Sequence, residues 1–171
     1  MRDITAGDYR VEILPILTVP PSSLVPSNIE RAYVKSLRLG GTDVLNTGLY
    51  LESATSAPLQ VVISMNGGTF AGRVLDAGAM PVANVKAVLV PNAPRRRRGD
   101  LYKNGLTDDS GRFQLSGLAP GDYKLFAWER VEDGAWQDPQ FLSLFEDRGT
   151  AVHIEEGARV TMDVRLIPAW N

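Results

Sequence analysis

Four consecutive arginines, Arg95, Arg96, Arg97 and Arg98, are the most concentrated group of charged side chains in the sequence. They follow a segment with two prolines (91–94), which places them in a long loop between two predicted strands. Adjacent guanidinium groups could bind phosphate or an acidic surface. We favour the alternative of a solvated loop, because neither aromatic residues nor a wider basic stripe accompany the run. An acidic protein or an anionic polymer would be the better partner.

Trp136 is the aromatic residue that we would expect to contact a ligand. It lies among polar residues in the segment 132–138, and a loop tryptophan in such surroundings can stack on a sugar ring. Packing in the core or between domains is the alternative, and we favour it because an indole buries a large area. Carbohydrate therefore stays a second candidate ligand.

Carboxylates and the single histidine could carry other chemistry. Asp108 and Asp109 could ligate calcium or form a glycosidase pair, but their spacing does not match an EF-hand, and Asp-x-x-Gly turns often form without metal. His153 alternates with apolar neighbours and should point away from the core. Without a second histidine or any cysteine, a transition-metal site or a serine-hydrolase triad has little to use. We predict no catalytic, cofactor or metal-binding residue, with calcium as a weak alternative.

The composition narrows the class of protein. The 171 residues are 44% hydrophobic and 22% charged, as in ordinary folded domains. The net charge is −2, so we expect no nucleic-acid partner. No apolar run approaches the roughly 20 residues that span a bilayer, and the first residues lack the apolar stretch of a signal peptide. We expect no direct insertion into a membrane.

Short apolar alternations separated by glycine and proline predict strands. The clearest is Arg159–Leu166, where every second residue is apolar, and the continuously apolar run Val85–Val90 predicts a central strand covered on both faces. Phe141–Glu146 could be a helical turn after Asp138-Pro139. The same period of two predicts further strands at Tyr9, Val11 and Ile13; Leu59, Val61, Ile63 and Met65; Phe70, Gly72 and Val74; Phe113 and Leu115; and Val152 and Ile154.

An internal repeat divides the chain. Gly7-Asp8-Tyr9 resembles Gly121-Asp122-Tyr123, and a related pair of strands follows each of them. We predict one complete unit over residues 67–171, preceded in residues 1–66 by the C-terminal half of a similar unit. Half a sandwich would leave an apolar face uncovered. It should therefore pack on a neighbouring domain or be completed by another protomer.

The stretch from Thr107 to Leu125 has the most specific pattern, Thr-Asp-x-x-Gly-x-Phe-x-Leu-x-x-Leu-x-Pro-Gly-x-Tyr-x-Leu. Its physics is that of a β-arch: Gly111 supplies positive φ, Pro120-Gly121 suits a type II turn, and Tyr123 can return its hydroxyl to a nearby main-chain group. Together with the preceding segments 72–74, 81–82 and 85–90, the pattern resembles the carboxypeptidase regulatory-like domain family, of the transthyretin-like and carbohydrate-binding-like grouping.

The resemblance implies an all-β, Ig/transthyretin-like antiparallel sandwich of about seven strands, without catalytic residues. It also implies a structural or interaction module repeated in large secreted or cell-surface bacterial proteins, hence an extracellular, periplasmic or outer-membrane-associated location. The expected partners are neighbouring domains or other protomers, with glycan as a further candidate. A carbohydrate-binding module and an accessory domain of a metallocarboxypeptidase-type enzyme are the alternative functions.

Overall fold

A computed structural model describes residues 6–9, 28–53 and 55–169 of the chain. These ranges contain short 3₁₀ turns, a single α-helix, α1 (Pro139–Ser143), and thirteen strands. The strands are β1 (Gly7–Tyr9), β2 (Tyr33–Leu39), β3 (Thr42–Asp43), β4 (Leu49–Leu51), β5 (Leu59–Ser64), β6 (Gly68–Leu75), β7 (Lys86–Pro91), β8 (Lys103–Leu106), β9 (Arg112–Leu118), β10 (Gly121–Trp128), β11 (Thr150–Ile154), β12 (Arg159–Thr161) and β13 (Val164–Arg165). The 3₁₀ turns are Ile29–Arg31, Arg95–Arg97, Gly99–Leu101, Ala135–Gln137 and Glu146–Arg148.

Two sheets form a sandwich over residues 68–165. One is antiparallel, with the strand order β11-β10-β7-β8, and in the other β6 pairs with β9, β12 and β13. Side chains of both sheets, including Phe70, Leu89 and Leu125, fill the space between them and have no exposed surface. Burial of their apolar area is the main stabilising contribution. The predicted all-β sandwich is confirmed.

The central strand β7 is covered on both faces, as predicted. Leu89 faces the first core, whereas Val88 and Val90 belong to a second core on the outer side of the same sheet. The segment 135–148 covers that outer side. Its helix α1 begins at Pro139, where the Asp138 carboxylate accepts a hydrogen bond of 2.8 Å from the Gln140 N–H. A helical turn is therefore present after Asp138-Pro139, but it starts two residues before the predicted Phe141 and ends at Ser143.

The predicted strand over 159–166 differs in two respects. It is interrupted between β12 and β13, and both pieces run parallel to β6. At the interruption, the Met162 N–H still bonds the Ala71 carbonyl, and the Met162 carbonyl lies so close to Gly72 that a Cβ there would collide with it. Gly72 therefore admits the bend, which the alternation of apolar residues does not reveal.

The β-arch forms largely as expected. The Asp108 carboxylate accepts hydrogen bonds from the Ser110 and Arg112 N–H groups, both at 2.9 Å, and Gly111 has φ of +71°. The buried Tyr123 hydroxyl donates to the Ala119 carbonyl at 2.7 Å, which confirms the predicted return to the main chain. Gly121 has φ of +142°, far from the roughly +80° of a type II turn, because it already pairs with β11; the type II prediction is wrong in this detail.

The region before residue 67 reproduces part of this arrangement. In β1 and β4, Gly7 pairs with Leu51 and Tyr9 with Leu49, just as Gly121 pairs with Ile154 and Tyr123 with Val152 in β10 and β11. These two pairs of strands therefore have the same register. The strands that follow them differ, since β5 pairs antiparallel with β2, whereas β12 and β13 run parallel to β6. A third, small core lies here, made of Leu37, Val44, Leu49 and Leu51.

The sheet β3-β2-β5 completes the described part of this region. The strand predicted over Leu59–Met65 is present as β5, but its apolar side chains are exposed, so alternation there did not mean burial. The predicted strand residues Val11 and Ile13 lie outside the described residues. Of the helices in the described ranges, none has the length and apolar character needed to cross a membrane.

Candidate functional site

Arg95, Arg96 and Arg97 form a short 3₁₀ turn between β7 and β8, and Arg98 is the extended residue between this turn and the next, Gly99–Leu101. Arg95 points back over the start of β10. Its Nη1 donates to the Pro120 carbonyl at 3.0 Å, and its guanidinium lies 5.6 Å from the centre of the Tyr123 ring. A side chain at position 121 would collide with this guanidinium, so Gly121 leaves the room that Arg95 occupies.

Arg96 and Lys124 both bind Glu146, in the segment that covers the second core. The Arg96 Nη2 lies 2.9 and 3.0 Å from the two carboxylate oxygens, and the Lys124 Nζ lies 2.9 Å from one of them. Partial burial raises the pKa of Glu146, but the hydrogen bonds from Lys124 and Arg96 outweigh it and hold the pKa below its usual range. These ion pairs attach the covering segment to the sheet.

Arg98 is buried and Arg97 is not. The Arg98 Nη2 lies 2.6 Å from an Asp100 carboxylate oxygen and makes a long contact of 3.5 Å with the Val34 carbonyl of β2. Arg97 is exposed and has no partner among the residues described. Because the other three guanidinium groups are held by the protein itself, the geometry does not assemble a four-arginine anion site.

Trp136 lies in the second core, with only 4% of its surface exposed. The Lys86 Nζ lies 5.9 Å from the centre of its ring, and the same Nζ pairs with Asp133 at 2.9 Å. The polar neighbours that suggested an exposed loop instead surround the edge of a packed indole. This burial corrects the expectation of an exposed stacking surface, and the packing alternative describes the position of Trp136.

His153 points outward from β11, as predicted. Its Nδ1 lies 2.6 Å from the Asp122 Oδ1 of the neighbouring strand, and both side chains are well exposed. Such a pair can orient an imidazole, but general-base catalysis also needs a nucleophile within reach. Within residues 6–9, 28–53 and 55–169, no cluster of three or more histidine, aspartate or glutamate side chains could hold a metal ion.

Glu156, which sequence reasoning did not single out, joins the two regions of the chain. It lies in the turn between β11 and β12, and its Oε1 accepts hydrogen bonds from the Tyr33 hydroxyl at 2.9 Å, the Lys35 ammonium at 3.0 Å and the Ser64 hydroxyl at 3.1 Å. The hydrogen bonds from Lys35, Tyr33 and Ser64, in that order, lower the pKa of Glu156. Its partners lie more than ninety residues away, so the local sequence carries no signal of this contact.

Main-chain contacts reinforce this junction. The Gly67 N–H donates to the Arg31 carbonyl at 2.9 Å, and the Arg31 Nε donates back to the Gly67 carbonyl at 3.0 Å. Gly117, at the end of β9, has φ of +66°, and a Cβ there would lie 2.9 Å from the Glu30 carbonyl and 3.0 Å from that of Ala32. The glycines therefore allow the turn at residues 29–31 to lie directly against the sandwich.

The strand β5 presents the largest group of exposed apolar side chains in the described chain. Leu59, Val61, Val62 and Ile63 are between 40% and 49% exposed, and β5 is the last strand of its sheet. Among the β2 residues that pair with them, Leu39 and Val34 are partly exposed, whereas Leu37 is buried in the third core. A surface of this kind is typical of an interaction site.

Comparisons with known proteins yield likenesses of fold only. Neither a family model nor a curated protein matches the chain. Among solved structures, it is similar to the major pilin subunit of Bacillus cereus (14% identity, TM-score 0.39, 80% of this chain and 56% of the pilin). It is also similar to a DUF3823 family protein from Bacteroides ovatus (17%, TM-score 0.38, 57% and 44%). A third likeness is to 5-hydroxyisourate hydrolase from Klebsiella pneumoniae (22%, TM-score 0.34, 60% and 92%).

The chain spans about half the length of the first two of these structures. At TM-scores of this size, the fold assignment depends on the strand pairing and the cores described above.

Proposed function

We propose that this chain is a non-catalytic structural and interaction module of a larger secreted or cell-surface bacterial protein. The observation that carries the proposal concerns the arginine run, the most concentrated group of charged side chains in the chain. Arg95 binds the main chain at the start of β10, Arg96 binds the covering segment, and Arg98 is paired with Asp100 of its own loop. Arginines that are bound within the protein make the domain more rigid, which suits a domain that links or presents other domains. They are also not free to bind a substrate.

The resemblance of Thr107–Leu125 to carboxypeptidase regulatory-like domains supports the same function, because such domains are non-catalytic and occur as repeats in bacterial surface proteins. The proposed partners are therefore neighbouring domains or further protomers. The proposed location is outside the cytoplasm.

A matched pair of arginine variants tests the structural role of the run. Arg96→Ala removes the ion pair with Glu146 and should lower the midpoint of thermal unfolding by about 2–4 °C, the shift that roughly 1 kcal/mol produces in a domain of this size. Arg97→Ala should leave the midpoint unchanged. Retention on a heparin column should be weak and equal for both variants and the unmodified chain. If the unmodified chain instead binds heparin strongly, and Arg97→Ala loses this retention with an unchanged midpoint, the result would support an anion-binding site.

Localisation needs a separate experiment on cells that express the full-length protein. An antibody raised against this chain should label intact cells, and a protease added outside should remove the label. Labelling that appears only after the cells are lysed would contradict a role at the surface.

A further inference from the structure

The outer edge of β5 lacks the protection that edge strands usually have. Natural edge strands carry lysine, proline or inward-pointing charges that prevent pairing with another chain. The segment from Ser53 to Gly72 contains no charged residue at all, and the six strand residues contain neither proline nor glycine. Pro58 comes one residue too early to interrupt the ladder. Within the described residues, the N–H and C=O groups on this edge pair with no strand.

The side chains of β5 separate into two faces. Leu59, Val61 and Ile63 share one face, continued by Met65, whereas Gln60, Val62 and Ser64 share the other. A strand that adds to this edge must match an apolar row on one face and a largely polar row on the other. Among the strands of the described ranges, β5 itself is uncharged and has this spacing.

Antiparallel pairing of two β5 strands matches both rows in one register. When Val62 lies opposite Val62 of a second copy, Val61 lies opposite Ile63, and Leu59 lies opposite Met65, so the apolar rows join on one face. On the other face, the Gln60 amide lies opposite the Ser64 hydroxyl, which donates to Glu156 within its own chain and can accept a hydrogen bond from the amide N–H. Neither row brings like charges together.

Neighbouring registers are poorer. A shift of one residue places the apolar row of one copy opposite the Gln60 and Ser64 row of the other, because directly opposed residues share a face. A shift of two residues in one direction places Pro58, which has no N–H, opposite Ser64 and pairs Gln60 with Val62. In the other direction, it pairs Val62 with Ser64 and places Leu59 opposite Gly67, which has no side chain. The register centred on Val62 is therefore the one that the side chains select.

We propose that β5 is a self-association strand, which pairs antiparallel with β5 of a second copy about a two-fold axis through Val62. The pairing joins the sheets β3-β2-β5 of both copies into one continuous sheet of six strands. Its isologous geometry closes after two copies, so the expected assembly is a dimer. This inference deepens the proposed interaction function and rests on it.

Charge substitutions at Val62 test the pairing. The unmodified chain should show twice its monomer mass, 18.6 kDa for one copy, in concentration-dependent light scattering or sedimentation. Val62→Lys and Val62→Glu should each be monomeric, because like charges then meet on the axis, and an equimolar mixture should regain the dimer mass. Leu106→Lys is the matched control, since Leu106 is an exposed apolar residue on the edge strand β8. It should remain a dimer.

Single cysteines test the register, because the native chain has none. Val62→Cys should form a covalent dimer under mild oxidation, since directly opposed Cα atoms lie about 4.5–5.5 Å apart, within disulfide range. Leu59→Cys should not, because its two copies would lie roughly 20 Å apart along the strands.

Two results would overturn the inference: a monomeric unmodified chain at every concentration up to the solubility limit, or a dimer that survives in Val62→Lys. Circular dichroism spectra that match the unmodified chain show that the variants are folded, and recovery of the dimer in the mixture shows it independently. Failure here would leave the cell-surface labelling and the arginine results untouched, so the proposed function fails or stands separately.

Discussion

β7 and β5 are both strands of six residues dominated by apolar side chains, yet the protein uses them differently. In β7, Ala87, Val88, Leu89 and Val90 have no exposed surface, whereas in β5 the corresponding apolar side chains are nearly half exposed. β7 lies between β10 and β8, with a core on each face; β5 ends its sheet. The contribution of a strand to the free energy of unfolding therefore depends on what covers its side chains. Variants in the two regions, taken in order of decreasing effect, test this difference.

The largest effect should come from the doubly covered sheet. Phe126, in β10, has no exposed surface and stacks on Trp128 with ring centres 4.9 Å apart. Phe126→Ala should lower the free energy of unfolding by about 3–5 kcal/mol, because it removes buried apolar area and leaves a cavity. Urea unfolding followed by circular dichroism measures it. The truncation Val62→Ala, in β5, removes a side chain that is about half exposed and should cost about 0.5 kcal/mol or less at concentrations where the chain is monomeric. Equal losses in the two variants would refute the comparison.

The junction between the two regions should respond next. Gly117→Ala forces a side chain into positive φ and against the main chain of residues 30–32, so we expect a loss of about 2–3 kcal/mol in unfolding free energy. Gly134→Ala is the control, since Gly134 also has positive φ, +88°, but has open space around it. It should lose only about 1 kcal/mol, from strain alone. If both variants lose the same amount, the close approach at Gly117 contributes nothing.

Local patterns predict those parts of the fold that local physics determines. The alternation in β6, the continuous apolar run of β7 and the tyrosine corner at Tyr123 could all be identified from neighbouring residues. The tripeptide Gly-Asp-Tyr, which the sequence repeats, begins both β1 and β10, and the two strands pair with β4 and β11 in corresponding registers. Exposure of β5 could not be predicted from alternation, which specifies two faces but not what covers either of them.

The candidate site was predicted less well, for a related reason. The arginine run was identified, but its partners Pro120, Glu146 and Val34 are distant in sequence. Which guanidinium groups are bound within the protein therefore depends on the tertiary fold. For Trp136, packing was favoured over contact with a ligand, but its polar sequence neighbours did not reveal that it packs in a second core on the outer face of the sheet. Residues that act through long-range contacts, Glu156 above all, leave no local pattern to find.

Two tyrosines allow a finer comparison of the regions. The Tyr123 hydroxyl bonds a buried carbonyl inside the sandwich, whereas the Tyr33 hydroxyl bonds the exposed Glu156 carboxylate at the junction. Tyr123→Phe should lower the free energy of unfolding by about 1–2 kcal/mol, because the Ala119 carbonyl is left without its partner away from water. Tyr33→Phe should cost less, since water can replace the hydroxyl at Glu156. Chemical unfolding measures the loss in each variant. A larger loss in Tyr33→Phe than in Tyr123→Phe would contradict the greater contribution of the buried hydrogen bond.

The smallest effect should be a dependence on pH that belongs to the junction. Hydrogen bonds from Lys35, Tyr33 and Ser64 lower the pKa of Glu156 in the folded chain, so folding favours its ionised form. That stabilisation is fully present above the ordinary pKa of a glutamate, about 4.3, and is lost as the pH falls through the lower folded pKa. Glu156→Gln should therefore unfold at a lower urea concentration than the unmodified chain at pH 7, and this difference in urea midpoint should shrink on acidification to pH 3.

Glu155→Gln is the control, because the Glu155 carboxylate makes no hydrogen bond within the described residues, and its urea midpoint should not differ in this way. A difference for Glu156→Gln that is constant from pH 7 to pH 3 would mean that the charge of Glu156 does not help to hold the two regions together.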